Sequence, residues 1–159
     1  SYVLPQPMSP FNWRLIHVTT EGKLHDTRVN IFLKEAVDVP DDAKRSWRLR
    51  ELYQPTDKAV WRIYSRFGRK LSGTNKEFVE KSWQALENSP YRWQTRFMVY
   101  RGFVQFSSTR CVKWQDLRRI GAKKKWLGTY LTCLAPAGFT LYRADDSENF
   151  TFVKTLTVQ

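Results

Sequence analysis

The sequence has few of the residues that build disulfide networks, metal centres and phosphate-binding loops. Its 159 residues include two cysteines, Cys111 and Cys133, too few for a disulfide framework or a four-ligand zinc site. Both thiols are expected to stay reduced inside a cell. The seven glycines do not cluster, and no phosphate-loop, serine-hydrolase or zinc-peptidase motif is present. No apolar run approaches the roughly 18 residues that a membrane span needs. These absences predict no metal, no cofactor and no enzymatic activity.

Acidic residues are scarce in the second half of the chain. Residues 88–144 contain eleven Lys or Arg and a single acid, Asp116, within a chain of net charge +12. Such a stretch repels itself unless a polyanion neutralises it, and the usual polyanion is nucleic acid. A solvated basic face, an anionic membrane surface or an acidic protein partner are the alternatives. The aromatic content of 15% excludes a chain that is disordered throughout.

The hydrophobic pattern predicts one basic α+β domain at residues 13–159, preceded by a proline-rich extended arm at residues 1–12. Prolines disfavour helix, so the arm is expected to be extended and to dock on a neighbouring subunit. A frayed terminus is the alternative. Three helices are expected within residues 41–88, separated by Pro55 and Gly68, and a short helix is expected at 113–120. Strands are expected at 12–20, 27–34, 91–101, 103–108, 126–134, 139–143 and 150–158. We expect the N- and C-terminal strands to form one antiparallel sheet that packs on the central helical segment.

The apolar stripe of the third helix predicts which side chains are buried. Val79, Trp83 and Leu86 recur at helical spacing, so Trp83 is expected in the core. Trp114 lies among basic residues instead and is expected to be exposed.

Three clusters of basic and aromatic residues are the candidate RNA contacts. The first lies on the expected helices and contains Arg45, Arg48, Arg62, Arg66, Arg69 and Lys70. Arg62, Arg66 and Arg69 follow the spacing i, i+4, i+7, which lines up three guanidinium groups along about 11 Å of one helix face. Such a row can follow phosphates, and the alternative is an ordinary solvated face.

The second cluster lies on one face of the strand expected at 91–101. Arg92, Gln94, Arg96 and Tyr100 share this face, with Tyr100 as the stacking candidate. Sheet faces that combine arginine with aromatic rings bind unpaired RNA by phosphate contacts and stacking. The alternative is that the arginine stems merely cover a sheet.

The third cluster is the densest, with seven bases and one acid in residues 110–126. Its candidate contacts are Lys113, Arg118, Arg119, Lys123, Lys124 and Lys125, with Trp114 and Trp126 as stacking candidates. A short helix followed by a lysine triplet would form a phosphate clamp. Nuclear localisation and lipid-surface binding are the alternatives for such a charge run.

A set of short spacings falls within residues 46–88. It comprises Ser46-Trp47, Glu51-Leu52, Asp57, Trp61, Leu71 and Lys81-Ser82. In these positions the segment resembles the helix hairpin of a mitochondrial large-subunit ribosomal protein found near the exit tunnel. The likeness covers about a quarter of the chain. It implies a ribonucleoprotein setting, whereas the strand-rich remainder departs from that family.

Taken together, these patterns predict a non-catalytic RNA-contacting structural component of a ribonucleoprotein, with a mitochondrial ribosome as the first choice. RNA and neighbouring protein subunits are the expected partners, and no small-molecule substrate or transmembrane segment is expected. The basic charge and the start at Ser1 lead us to expect the mitochondrial matrix. The alternatives are an accessory subunit of a mitochondrial respiratory membrane complex and a stand-alone double-stranded RNA-binding protein of viral or regulatory type.

Overall fold

Strands dominate the structure, and they fall into two compact units, Ser1–Tyr64 and Ser65–Gln159. The computed structural model describes residues 1–6, 9–36, 52–119, 128–145 and 149–156. Each unit has its own sheet, of four and five strands. Strands and a long helix together make the protein α+β, as the sequence predicts. The N- and C-terminal strands nevertheless belong to separate sheets, which corrects the expectation of one shared sheet.

The first unit is a four-stranded sheet with the order β1-β2-β3-β4. Its strands are Tyr2–Gln6, Ser9–Val18, Lys23–Asn30 and Arg62–Ser65. β2 and β3 form the antiparallel hairpin expected from their alternating patterns. Their register places Arg14 opposite Arg28 and Ile16 opposite Asp26, so these four side chains share one face of the sheet.

The N-terminal segment is part of this sheet. Tyr2–Gln6 pairs antiparallel with β2, from Tyr2 opposite Ile16 to Pro5 opposite Trp13. β1 is an edge strand, and an edge strand tolerates proline because one of its two sides needs no ladder hydrogen bonds. The extended conformation expected for the arm is present in residues 2–6 and 9–12, but residues 2–6 pair within their own chain, whereas docking on a neighbouring subunit was expected.

The second unit is a helix on a five-stranded antiparallel meander. The long helix α1 spans Gly73–Glu87, and a one-turn helix α2 spans Arg92–Thr95. The strands, in spatial order, are β5 Met98–Phe106, β6 Thr109–Asp116, β7 Thr129–Ala135, β8 Gly138–Ala144 and β9 Phe150–Leu156. The last three strands confirm the strands predicted for the C-terminal part.

The predicted apolar stripe of α1 covers one face of this sheet. Val79, Trp83 and Leu86 are buried, as expected. They form one core cluster with Val112, Trp114, Tyr130, Phe139, Leu141 and Leu156 of the sheet. This packing leaves the opposite face of the sheet without cover from α1, because side chains alternate between faces along each strand.

The helix predicted between Pro55 and Gly68 is absent. A short 3-10 turn at Thr56–Lys58 is followed by β4. The apolar spacing in this segment matches a helix, but aromatic and β-branched residues favour strands, and a short run cannot decide between the two. The resemblance to a ribosomal helix hairpin is therefore not supported over this segment, and the helix predicted from residue 41 lies outside the described residues.

Two further elements differ from the prediction. The segment expected as a strand at 91–101 begins with α2, because buried Ser89 organises a turn before it. The Ser89 hydroxyl donates to the carbonyl of Leu86 and accepts from the amide of Tyr91. Such local bonds favour turns over strands. The segment expected as a helix at 113–120 is strand β6 and a 3-10 turn, Leu117–Arg119.

Within the residues described, no helix is long and apolar enough to cross a membrane.

A disulfide joins two adjacent inner strands of the second sheet. Cys111 of β6 lies directly opposite Cys133 of β7, and the two are bonded. The expectation that both thiols remain reduced is therefore wrong for this structure. The pairing could not be inferred from spacing, because it depends on the register of two strands.

Reduction of the disulfide is expected to lower the free energy of unfolding by about 3 kcal/mol, the value for a closed loop of roughly 20 residues. Denaturant titrations with and without dithiothreitol would measure this change. The variant with both cysteines replaced by alanine should be insensitive to the reductant. Equal stability of the oxidised and reduced protein would contradict the prediction.

Candidate nucleic-acid interface

Six of the predicted contacts lie outside the described residues. They are Arg45, Arg48, Lys123, Lys124, Lys125 and Trp126. Their assignment to RNA binding stays a prediction.

Arg66 serves the fold of the second unit. Its side chain is buried, and its guanidinium lies 4.0 Å from the ring centre of Trp83. The same group donates to the carbonyl oxygens of Met98 and Arg96, at 3.3 Å and 3.1 Å. Its position corrects the expectation that it contacts phosphates.

Arg62, Arg69 and Lys70, the remaining described members of the first cluster, are exposed. Arg62 lies on β4 of the first unit, while Arg69 and Lys70 follow Gly68 in the second unit, before α1. The spacing of Arg62, Arg66 and Arg69 would align their side chains only on a helix, and Arg62 lies on a strand instead. These three exposed cations add to the positive field of the protein.

Both described stacking candidates are packed into the protein. Trp114 is completely buried, and its indole nitrogen donates to the hydroxyls of Thr132 and Ser82, at 2.9 Å and 3.2 Å. Tyr100 is half-buried, packs against Phe103 and Trp114, and has its pKa raised by burial. The ring of Trp114 is not available to a base, which corrects that assignment, whereas stacking on Tyr100 stays a prediction.

The third cluster is divided by the end of β6. The guanidinium of Arg118 holds the buried carboxylate of Asp116, with contacts between 2.6 Å and 3.0 Å. This hydrogen bonding raises the pKa of Arg118, so its charge is engaged within the protein. Arg119 is exposed at the turn that follows, and half-buried Lys113 lies on β6 itself.

The face of the sheet opposite α1 carries a group of aromatic rings that the sequence analysis missed. We call it the aromatic face, defined by Phe106, Tyr142, Phe150 and Phe152. The ring centres of Phe106 and Tyr142 are 4.9 Å apart, those of Phe106 and Phe150 are 5.6 Å apart, and those of Tyr142 and Phe152 are 6.1 Å apart. The first three rings pack on the disulfide and Leu131 beneath them and are half-buried, while Phe152 is 62% exposed.

Two cations lie on the same face of the sheet as these rings. Lys113 lies opposite Leu131, which lies opposite Tyr142 on the next strand, so all three share the aromatic face. Arg101 reaches this face through a 3.0 Å hydrogen bond from its guanidinium to the side-chain oxygen of Gln115, two residues after Lys113. Of the predicted contacts that the structure describes, Lys113 is the one that the register brings here.

The two arginines of the second cluster lie elsewhere in the second unit. Arg92 belongs to α2 and Arg96 follows it, and both guanidinium groups lie against the ring of Trp93. Because the segment is a helical turn, Tyr100 does not share a strand face with them, which corrects the expected arrangement.

No group of three or more His, Cys, Asp or Glu side chains that could hold a metal ion is present in the part of the chain that the structure describes. Comparison of the chain with protein-family models, with curated proteins and with solved structures gives no match.

Proposed function

We propose that the protein is a non-catalytic RNA-contacting component of a ribonucleoprotein and that the aromatic face binds unpaired bases. The assembly favoured by the sequence is a mitochondrial ribosome in the matrix, where neighbouring protein subunits would be the other partners. The observation that carries the proposal is the joint presence, on one sheet face, of one exposed ring, three half-buried rings and cations.

The chemistry of the face suits single-stranded RNA. Every base has a π-face, so aromatic side chains bind unpaired bases by stacking with little sequence preference. The exposed ring of Phe152 can stack on a base, and the three half-buried rings beside it extend the aromatic surface. Lys113 and Arg101 supply the positive charge that the phosphates between successive bases require.

A duplex fits this face less well. In double-stranded RNA the bases are stacked on each other, and proteins read the duplex by its shape, its 2′-hydroxyls and its phosphates. Exposed phenyl rings make none of those contacts. The aromatic face therefore favours an unpaired segment over the duplex considered from the sequence.

The disulfide provides a check on the compartment. Disulfides persist in oxidising compartments and are rare where thiol reductants are abundant. Alkylation and mass spectrometry of Cys111 and Cys133 in the native protein would show whether the bond exists there. Free thiols would agree with the proposed mitochondrial matrix. A stable disulfide would indicate that the ribonucleoprotein is in an oxidising compartment instead.

Replacing Phe152 by alanine is expected to weaken binding of a single-stranded oligoribonucleotide about tenfold, since each stacked base contributes about 1–3 kcal/mol. Fluorescence anisotropy with a labelled strand would measure the affinity. Phe32→Ala is the matched control, because Phe32 is 68% exposed but lies in the first unit. Lys113→Gln should reduce the slope of log affinity against log salt by about 0.7, the value for one phosphate contact on a single strand.

Two results would contradict the proposal. Equal losses for the two phenylalanine variants would show that the aromatic face is not the site. Binding to neighbouring proteins that resists salt, together with no RNA affinity, would favour the accessory-subunit alternative, because apolar contacts are not weakened by counterion competition.

A further inference from the structure

Trp93 is an exposed tryptophan on a fixed segment. Its side chain is 61% exposed, whereas Thr95 and Phe97 next to it are buried. Backbone hydrogen bonds from Arg92 to the Ser89 carbonyl and from Thr95 to the Tyr91 carbonyl hold the turn. A large ring presented to solvent by an anchored backbone is a common feature of binding sites, because its docking costs little conformational entropy.

Two guanidinium groups lie close to this ring. That of Arg96 lies 4.1 Å from the ring centre of Trp93, and that of Arg92 lies 5.6 Å from it. Arg96 is half-buried and Arg92 is exposed. The site thus offers an aromatic surface and two positive charges within one helical turn, and a complementary ligand has a flat π-system joined to an anion.

We propose that Trp93, Arg92 and Arg96 form a nucleotide clip, in which a base stacks on the indole and its phosphate binds the guanidinium groups. The shared chemistry is a base with an adjoining phosphate, supplied by a free nucleotide or by a nucleotide within an RNA strand. The clip and the aromatic face share no residues. The clip extends the proposed function, and it rests on that function only where the nucleotide is part of an RNA strand.

A lipid surface is the less suitable partner. Interfacial anchors bury a continuous apolar area, often together with basic side chains. In the segment 89–97 Trp93 is the one large apolar side chain that is exposed among the described residues, since Tyr91 is half-buried and Phe97 is buried. A single ring beside two charges offers too little apolar area for stable insertion.

The clip and the aromatic face lie at opposite ends of β5. Trp93 precedes Met98, the first residue of the strand, and Phe106 of the aromatic face is the last. Eight residue steps of a strand span about 26 Å, so one nucleotide cannot contact both Trp93 and Phe106. The two sites can therefore be tested separately.

The first experiment compares three ligands by isothermal titration calorimetry. Adenosine 5′-monophosphate is expected to bind, while adenosine, which lacks the phosphate, and ribose 5-phosphate, which lacks the base, should each bind at least about tenfold more weakly. Equal affinity for ribose 5-phosphate and the nucleotide would overturn the clip, because it would show binding of an anion alone.

The second experiment compares variants. Trp93→Ala should weaken nucleotide binding about tenfold and Trp93→Phe clearly less, while Arg96→Gln should affect the nucleotide but not adenosine. Trp61→Ala is the matched control, because Trp61 is also exposed but lies in the first unit. An unchanged affinity of Trp93→Ala would overturn the proposal, as would binding to phosphatidylserine vesicles that depends on Trp93 in a protein without nucleotide affinity.

A single-stranded hexanucleotide identifies the source of the ligand. Weaker hexanucleotide binding by Trp93→Ala supports a nucleotide within RNA, whereas an effect on the mononucleotide alone supports a free nucleotide. If Phe152→Ala leaves RNA binding unchanged while Trp93→Ala weakens it, the function proposed for the aromatic face fails and the clip stands. The reverse pattern, together with an unchanged affinity of Trp93→Ala for adenosine 5′-monophosphate, overturns the clip and leaves the aromatic face supported.

Discussion

Replacing Trp114 by alanine is expected to lower the free energy of unfolding by about 5 kcal/mol, at the upper end of the range for buried aromatic residues. The side chain is completely buried in the core between α1 and the sheet. Its ring contacts those of Trp83 and Tyr100, at centre distances of 5.6 Å and 6.4 Å. The substitution also leaves the buried hydroxyls of Ser82 and Thr132 without the indole donor that they share.

Denaturant titration followed by far-ultraviolet circular dichroism would measure this loss. Trp93→Ala is the control for removing a tryptophan, because its ring is exposed and its loss should cost less than about 1 kcal/mol. Trp114→Phe should recover part of the stability by refilling most of the volume. A Trp114→Ala variant that unfolds like the parent protein would show that this core is assigned wrongly.

Replacing Asp26 by alanine is expected to destabilise the first unit by about 3–5 kcal/mol, the usual effect of removing one partner of a buried ion pair. The Asp26 carboxylate accepts two hydrogen bonds from the guanidinium of Arg14, at 2.6 Å and 2.8 Å. Both side chains are almost fully buried. Arg28 shares their face of the sheet, and its pKa is lowered by burial and by the charge of Arg14. Without the Asp26 carboxylate, the positive charges of Arg14 and Arg28 would lie close together with no negative charge from Asp26 to neutralise them.

A double variant distinguishes the ion pair from simple packing. Arg14→Met combined with Asp26→Leu removes both charges and keeps much of the volume, and we expect it to be within about 1 kcal/mol of the parent protein or more stable. Unfolding titrations of the single and double variants provide the comparison. If the double variant is as unstable as Asp26→Ala, lost packing rather than an uncompensated charge explains the effect.

Elements that depend on local pattern could be predicted from the sequence. The stripe of Val79, Trp83 and Leu86 predicts both the helix and its buried side, because side chains at these spacings share one helix face. The last three strands follow from short apolar runs between turn residues such as Pro136 and Gly138. In both cases the information lies within about fifteen residues of chain.

Trp114 shows where a local argument fails. Its basic neighbours suggested an exposed ring, but neighbours in a strand point to opposite faces. Lys113 lies on the aromatic face while Trp114 lies under α1. The exposure of a residue therefore depended on the choice between helix and strand, which eight residues of sequence did not decide.

The aromatic face could not be predicted either, because it is formed by the pairing of strands that are far apart in the sequence. Phe106 and Phe150 are far apart in the sequence but 5.6 Å apart between ring centres, because the meander returns β9 to the same face. The alternation of Phe150 with Phe152 was a detectable signal for one exposed strand face. The contribution of Phe106 required the order and register of five strands, which no local pattern contains.

The proline of the N-terminal hairpin has a consequence for self-association. β1 is an edge of the first sheet, and open edges are templates on which a second chain can add a strand and begin aggregation. Pro5 lies within this edge and has no amide hydrogen to offer an incoming strand. The pairing with β2 is also irregular between Pro5 and Gln6, which bends the edge away from a straight ladder. Pro5, which in the sequence suggests a docking arm, thus disfavours aggregation by strand addition at this edge.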